Sequence, residues 1–195
     1  MFLEGNGLPG AWLWRDEFVV SELGLGTGLN LLALVTLLEA ERALSRPVPR
    51  LIYQSVEWQP RPSQDILALA EKWPDLTPAS DQLLRVYQPM PGWNRWAWPW
   101  GDIVLYVGDA RLLPSSNPTF ASTDAWFLDG FAPDRNPELW DVSLLRWVGE
   151  RTRAGGTAAT YSAAGIVKQG LREAGFTVAR APGWGRKRHM VRARR

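Results

Sequence analysis

Phe18-Val19-Val20-Ser21-Glu22-Leu23-Gly24-Leu25-Gly26-Thr27-Gly28-Leu29-Asn30 decides the fold of this chain. An apolar strand runs into an acid and three alternating glycines, and an apolar helix of about 15 residues follows from Thr27 onward. Such a turn brings bare backbone amides against a nucleotide-like ligand. A side chain at Gly24 or Gly26 would block the approach, and glycine alone takes positive φ in so tight a turn at little cost.

Two ligand readings compete with a plain glycine-rich turn that binds nothing. A dinucleotide-binding turn spaces its glycines G-x-G-x-x-G and seats a pyrophosphate on the helix N-terminus. Here the order is E-x-G-x-G-x-G. It looks like the first motif of the S-adenosyl-L-methionine (SAM) methyltransferases, whose glycines pass the methionine and ribose parts of the ligand. SAM is therefore the expected cofactor, held by the turn through Gly24, Gly26, Thr27, Gly28 and Asn30.

Composition narrows the remaining classes. At 195 residues, with 46% hydrophobic and 22% charged residues, the chain reads as one globular domain over residues 1–195. No apolar run approaches the roughly 20 residues that span a bilayer, and the N-terminus has no basic region of a secretory signal. A membrane partner is not expected, and a cytoplasmic location is. Cysteine is absent and His189 is the sole histidine, which argues against zinc, iron–sulfur and cysteine-nucleophile chemistry. The net charge of +2 hides an asymmetry. Seven Arg or Lys residues and no acid follow Glu173, leaving a formal −5 on residues 1–173. Six of the seven fall within Arg186–Arg195, a candidate phosphate-contacting patch that charge alone does not separate from a solvated tail.

Apolar runs alternate with helical patterns, as in a mostly parallel α/β sheet. Strands are expected near Glu17–Leu23, Arg50–Glu57, Ile103–Val107, Asp124–Leu128, Thr157–Tyr161, Thr177–Ala181 and His189–Arg194. Helices are expected near Gly28–Leu44, Pro62–Lys72, Asn136–Arg153 and Ala164–Ala174. Asn136 would cap the third helix and Gly155-Gly156 would end it. Alternating Trp96, Trp98 and Trp100 around a turn at Gly101-Asp102 suggest a hairpin inserted near residues 93–105. These tryptophans read as core or cross-strand partners, and Trp126 and Trp140 as core.

Ligands of an open α/β sheet bind beyond the carboxyl ends of the strands. Four acids stand there on successive strands: Glu22, Glu57, Asp109 and Asp129. Glu57 can accept from both ribose hydroxyls, and Asp109, with Ala110 beside it, from the adenine amine. Glu22 can face the amino or sulfonium region of the methionine moiety, where negative charge is favourable. Asp129 then points at the transferring methyl.

The residues match a family in order along nearly the whole chain: Phe2–Pro9 (FLEGNGLP), Glu22–Asn30 (ELGLGTGLN), Ser55–Glu57 (SVE), Trp73-Pro74, Gly108-Asp109, Asp124–Pro133 (DAWFLDGFAP), Asn136–Trp140 (NPELW), Gly155–Gly165 (GGTAATYSAAG) and Gly185–Met190 (GRKRHM). Together they resemble the tRNA 5-methylaminomethyl-2-thiouridine methyltransferase domain, the SAM-dependent half of a bifunctional wobble-uridine enzyme. The DGFAP and GRKR stretches are more specific than the glycine turn. The resemblance implies a class I, Rossmann-like fold: a mostly parallel seven-stranded sheet with an antiparallel last strand. It also implies N-methylation of the 5-aminomethyl group of the tRNA wobble uridine. The chain stops after its last strand, so a stand-alone methyltransferase without the FAD oxidase domain is expected. Other tRNA-modifying enzymes would supply the aminomethyl nucleoside. Three departures accompany the match. Some forty residues expected upstream are missing, His189 stands where an acid is expected, and Asn94 replaces a histidine in the Gly92–Arg95 turn. Trp12 and Trp14 could shield an edge left by the short N-terminus.

Methyl transfer from a sulfonium is an in-line displacement, so alignment and water exclusion, worth up to ~7–11 kcal/mol, carry most of the acceleration. The nucleophile must be the neutral amine. Asp129 is expected to orient its N–H and receive a proton as positive charge develops. Gly130 lets the substrate approach, Phe131 stacks on the uracil, and Pro133 completes that substrate-side stretch. Arg186, Lys187 and Arg188, with Trp184 and less directly Arg95, would contact the RNA around a flipped anticodon base. Two rivals remain: a small-molecule N-methyltransferase on the same fold, and a degenerate SAM- or RNA-binding module.

Overall fold

The structure is a computed structural model and describes residues 1–115, 120–130, 137–183 and 188–195. In chain order its elements are α1 (Phe2–Gly5), β1 (Glu17–Leu23), α2 (Leu29–Ala43), β2 (Arg50–Glu57), α3 (Ser63–Lys72), α4 (Thr77–Leu84), β3 (Gly92–Trp98), β4 (Gly101–Val107), β5 (Thr123–Phe127), α5 (Val142–Glu150), β6 (Thr152–Thr160), α6 (Gly165–Glu173), β7 (Thr177–Pro182) and β8 (His189–Arg194). The strands form one eight-stranded sheet in the order β3-β4-β2-β1-β5-β6-β8-β7. Strands β4, β2, β1, β5 and β6 run parallel, β3 is antiparallel to β4, and β8 is antiparallel to both its neighbours. The expected parallel sheet with an antiparallel last strand is present. The inserted hairpin adds β3 as the eighth, edge strand.

The central strands are buried on both faces, which is why they read as continuous apolar runs rather than alternating ones. Phe18 and Val20 of β1, with Tyr53, Ile103 and Phe127, pack under α2, α3 and α4. Residues of the opposite parity, among them Leu23, Val56, Val104 and Trp126, pack under α5 and α6. The opening segment completes the first face. Phe2 lies 5.7 Å from the Phe127 ring. The buried Asn6 donates to the Trp126 carbonyl at 3.1 Å and accepts from Thr157 Oγ1 at 2.7 Å, tying residues near the N-terminus to the middle of the sheet.

Several boundaries differ from the sequence reading. The helix expected at Asn136–Arg153 is a 3-10 turn, Pro137–Trp140, followed by α5 from Val142. Asp141 caps it, accepting from the Ser143 amide at 2.8 Å; Asn136 lies outside the described residues. Gly155-Gly156 does not end a helix but lies within β6, where the register against β5 shifts and Gly155 takes φ +77°. Helix α4, absent from the sequence reading, buries Ala79, Ser80 and Leu83, which with Leu76 just before it carry the spacing i, i+3, i+4, i+7. Gly92–Arg95 is the start of β3 rather than a turn, and Asn94 hooks its amide onto the carbonyls of Met90 and Gly92. The hairpin turns at Pro99-Trp100. Gly101 already belongs to β4, so close to Leu51 that a Cβ would sit 1.9 Å from its carbonyl oxygen.

The hairpin tryptophans are structural. Trp98 and Trp100 both donate to Gln82 of α4, and Trp96 packs 5.8 Å from Tyr87. Trp126 and Trp140 are buried as expected. Trp12 does not shield an edge: it is wholly buried, edge-on to Phe18 at 6.2 Å. Trp14 is 89% exposed and shields nothing.

Candidate functional site

Strand β1 sits where the crossovers diverge, to β2 on one side and β5 on the other, so a crevice opens beyond its carboxyl end. The turn from β1 to α2 crosses the floor of that crevice with Gly24, Gly26 and Gly28 at φ +91°, +54° and +76°. A Cβ on Gly26 would meet no atom within 4 Å, so the backbone there borders open space. That space is a cavity of about 680 Å³, within the usual range for a small-molecule or cofactor site.

The cavity brings together most of the expected residues: Gly24, Gly26, Thr27 and Asn30 from the turn and α2, Glu57 at the end of β2, Asp109 and Ala110 after β4, and Asp129 and Gly130 after β5. Gly28 is set back as the left-handed N-cap of α2. Glu57 is pinned by two main-chain amides, from Gly26 at 2.8 Å and Gln59 at 3.0 Å. Each carboxylate oxygen keeps a second lone pair for a ligand hydroxyl. The Asp109 carboxylate reaches the wall already forked onto Arg111, with Nη2 at 2.6 Å and Nε at 2.9 Å, and this cation holds its carboxyl below the ordinary range.

Glu22 does not face the cavity. It is fully buried, and its carboxyl meets Asn30 Nδ2 at 2.6 Å and the Tyr53 hydroxyl at 2.5 Å. The expectation that it contacts a methionine moiety is therefore corrected. Glu22 shares the parity of Phe18 and Val20 in β1, whose side chains enter the core under α2, and this parity could have been read in advance. Burial pushes its carboxyl well above the ordinary range, against the pull of Tyr53 and Asn30.

Asp129 is the reactive-looking group on the wall. Burial raises its carboxyl to about 6, while Asn30, donating to Oδ2 at 2.6 Å, holds it down. Gly130 is smaller than the substrate argument alone requires. A Cβ there would come 2.8 Å from Leu139, so its bareness lets Leu139 close over the end of β5. The Tyr161 hydroxyl, beyond β6, donates to the Gly130 carbonyl. Tyr161, Leu139, Arg111 and the 61% exposed Trp58 line the cavity and were not singled out from sequence. Tyr161 carried a usable signal, since it follows a strand end as the acids do. Phe131, Pro133, Trp184, Arg186 and Lys187 lie outside the described residues, and Arg188 is exposed just before β8.

This donor set tests the ligand. Glu57, Asp109 and Asp129 make the wall acidic, and the guanidinium on it is paired with Asp109. Such a wall disfavours a pyrophosphate and suits a neutral nucleoside joined to a cationic centre. The residues therefore fit S-adenosylmethionine. No metal-binding cluster of His, Cys, Asp or Glu occurs among the described residues, and none of their helices is long and apolar enough to cross a membrane.

Comparison with known proteins agrees with this geometry. The model of a family described as S-adenosyl-L-methionine-dependent methyltransferase matches residues 76–195. The chain is 40% identical to the tRNA 5-methylaminomethyl-2-thiouridine biosynthesis bifunctional protein MnmC of Nitrosospira multiformis, over 98% of this chain and 31% of that protein. It is 42% identical to the protein of the same name from Thiobacillus denitrificans, over 100% of this chain and 31% of the relative. The chain thus spans about a third of the length of these curated relatives. Among solved structures, MNMC2 from Aquifex aeolicus superposes with a TM-score of 0.70 at 24% identity, over 98% of this chain and 58% of that one. SAM-bound CalS10, an amino pentose methyltransferase from Micromonospora echinaspora, superposes at 0.52 with 13% identity, over 98% of this chain and 88% of its own. Both likenesses establish the fold.

Proposed function

The chain belongs to the S-adenosyl-L-methionine-dependent methyltransferases, and from that premise we propose that it methylates the aminomethyl nitrogen of a 5-aminomethyluridine at the tRNA wobble position. The observation that carries the reading is Asp129, a half-buried carboxylate on the same cavity wall as the glycine turn, in a chain whose relatives are named for 5-methylaminomethyl-2-thiouridine biosynthesis. Gly24, Gly26, Thr27, Glu57, Asp109 and Ala110 would hold the cofactor. When bound, it supplies a methyl group on a sulfonium, an electrophile that a neutral amine attacks.

The protein's own residues have three tasks. Glu57, fixed by the Gly26 and Gln59 amides, orients a ribose without moving. Leu139 and Tyr161 hold Gly130 and keep water from that side of the cavity. Asp129 accepts the N–H of the incoming amine. The amine loses one proton as its nitrogen gains the methyl, and Asp129, ionised above pH about 6, is the acceptor in reach. A carboxylate also favours the ammonium form, so orientation rather than lowered amine basicity is its contribution. Arg186, Lys187 and Arg188 would hold tRNA phosphates. The aminomethyl substrate must come from a reaction that installs or unmasks a primary amine on the uridine.

Asp129→Ala is expected to abolish methyl incorporation into tRNA from labelled SAM while calorimetry shows cofactor affinity largely kept. Undiminished turnover in that variant removes Asp129 from the chemistry.

A further inference from the structure

The geometry points to Asn30 as a positioning residue for Asp129: one side-chain amide shared between a fully buried carboxyl and the carboxyl on the cavity wall. Asn30 Nδ2 donates to Glu22 Oε1 and to Asp129 Oδ2, both at 2.6 Å. An asparagine nitrogen has two N–H groups, so both are spent inward and only its oxygen remains for a ligand. An ionised Asp129 has no proton to give, so the nitrogen rather than the oxygen must face it. Asn30 is the second residue of α2, and its partners come from β1 and from the end of β5. Below Glu22 the Tyr53 hydroxyl of β2 completes the chain at 2.5 Å, and Tyr53 is itself wholly buried, edge-on to Phe127 at 6.4 Å. Four elements thus converge on the rotamer of one carboxylate.

Charge follows from the same arrangement. Two carboxyls on one amide do not both ionise cheaply. Burial falls hardest on Glu22, whose carboxyl it pushes well above the ordinary range, while the Asp129 carboxyl is raised to about 6. Among the described residues, Tyr53 and Glu57 at the end of β2 act on this pair, and Asp109, Arg111 and Tyr161 are the other titratable groups on the cavity wall. Asp129's role in methyl transfer rests on the function proposed above; the Asn30 clamp does not.

Carbon-13 NMR titration of labelled aspartate carboxyls in the ligand-free protein, with Asp129 assigned through Asp129→Asn, reads the clamp directly. Removing a hydrogen bond to the charged form in Asn30→Ala is expected to raise the Asp129 midpoint by about one pKa unit. Asn30→Ser, which has one donor and suits a helix N-terminus, is expected to move it part of the way and serves if the alanine variant does not fold. Calorimetry on the same variants reads separately whether the Asn30 oxygen also touches the cofactor. In the tRNA assay the acid limb of kcat would move to higher pH with KM little changed. An Asp129 midpoint that stays put in a folded Asn30 variant overturns the clamp, and a large loss of cofactor affinity beside it would make Asn30 a cofactor contact. A shifted midpoint in a protein that methylates no tRNA upholds the clamp and rejects the proposed function instead.

Discussion

A half-buried carboxylate such as Asp129 weakens the fold that holds it. Its ordinary value of 3.8 is raised to about 6 in the folded protein, so between those pH values the native state keeps a proton that the unfolded chain has released. Stability therefore falls as pH rises through that window and levels off above it. Asp129→Asn removes the penalty. It is expected to stabilise the protein at pH 8 by at most about 3 kcal/mol, with little gain at pH 4, while tRNA methylation is lost. Urea unfolding at the two pH values checks this; an equal change at both would place the effect in packing rather than charge. At this scale the sequence was only partly legible. The acids at four strand ends were readable, and three of them reach the cavity. Glu22 was misread because an acid that ends a strand and one that points into the core leave the same mark. Strand parity alone separates them.

At the scale of elements, the glycine turn divides folding from binding. Gly26 has open space where a Cβ would go, so Gly26→Ala is expected to fold with roughly 1–2 kcal/mol of backbone strain at φ +54°. The added methyl enters the cavity, and cofactor affinity is expected to fall more than tenfold by calorimetry. Unchanged affinity would mean the ligand does not approach this backbone. The turn, β1, β2 and α2 were legible because strong periodicity and glycine spacing agreed. Within residues 137–160 a helix and a strand were legible, but their boundaries were not. Gly155-Gly156 looks like a helix end, yet a positive-φ glycine also serves an irregular strand, and pairing of β6 with β5 decided for the strand. Helix α4 was hidden by the neighbouring Trp-Pro break, although its apolar spacing was helical. Trp12 was misplaced because a tertiary contact with Phe18 leaves no local signature.

For the whole molecule, an acidic cavity sits in a chain whose net positive charge comes from the residues after Glu173. The acidic cavity suits a cationic cofactor, and clustered Arg and Lys are the residue types that grip a polyanion. Replacing Arg186, Lys187 and Arg188 together by alanine is expected to weaken tRNA binding, to reduce its log–log salt slope by about 2–3, and to leave cofactor affinity alone. An unchanged salt slope would make the tail a solvated surface. Fold class and cofactor were legible because sheet topology fixes where a ligand binds. The basic end was legible only as charge, which does not distinguish a phosphate contact from a wet tail. The account is tested most directly by mass spectrometry of wobble nucleosides, after tRNA bearing 5-aminomethyluridine is incubated with the protein and SAM. It predicts that nucleoside heavier by one methylene, a methyl in place of one amine hydrogen; an unmodified aminomethyluridine, with cofactor bound and protein folded, would contradict it.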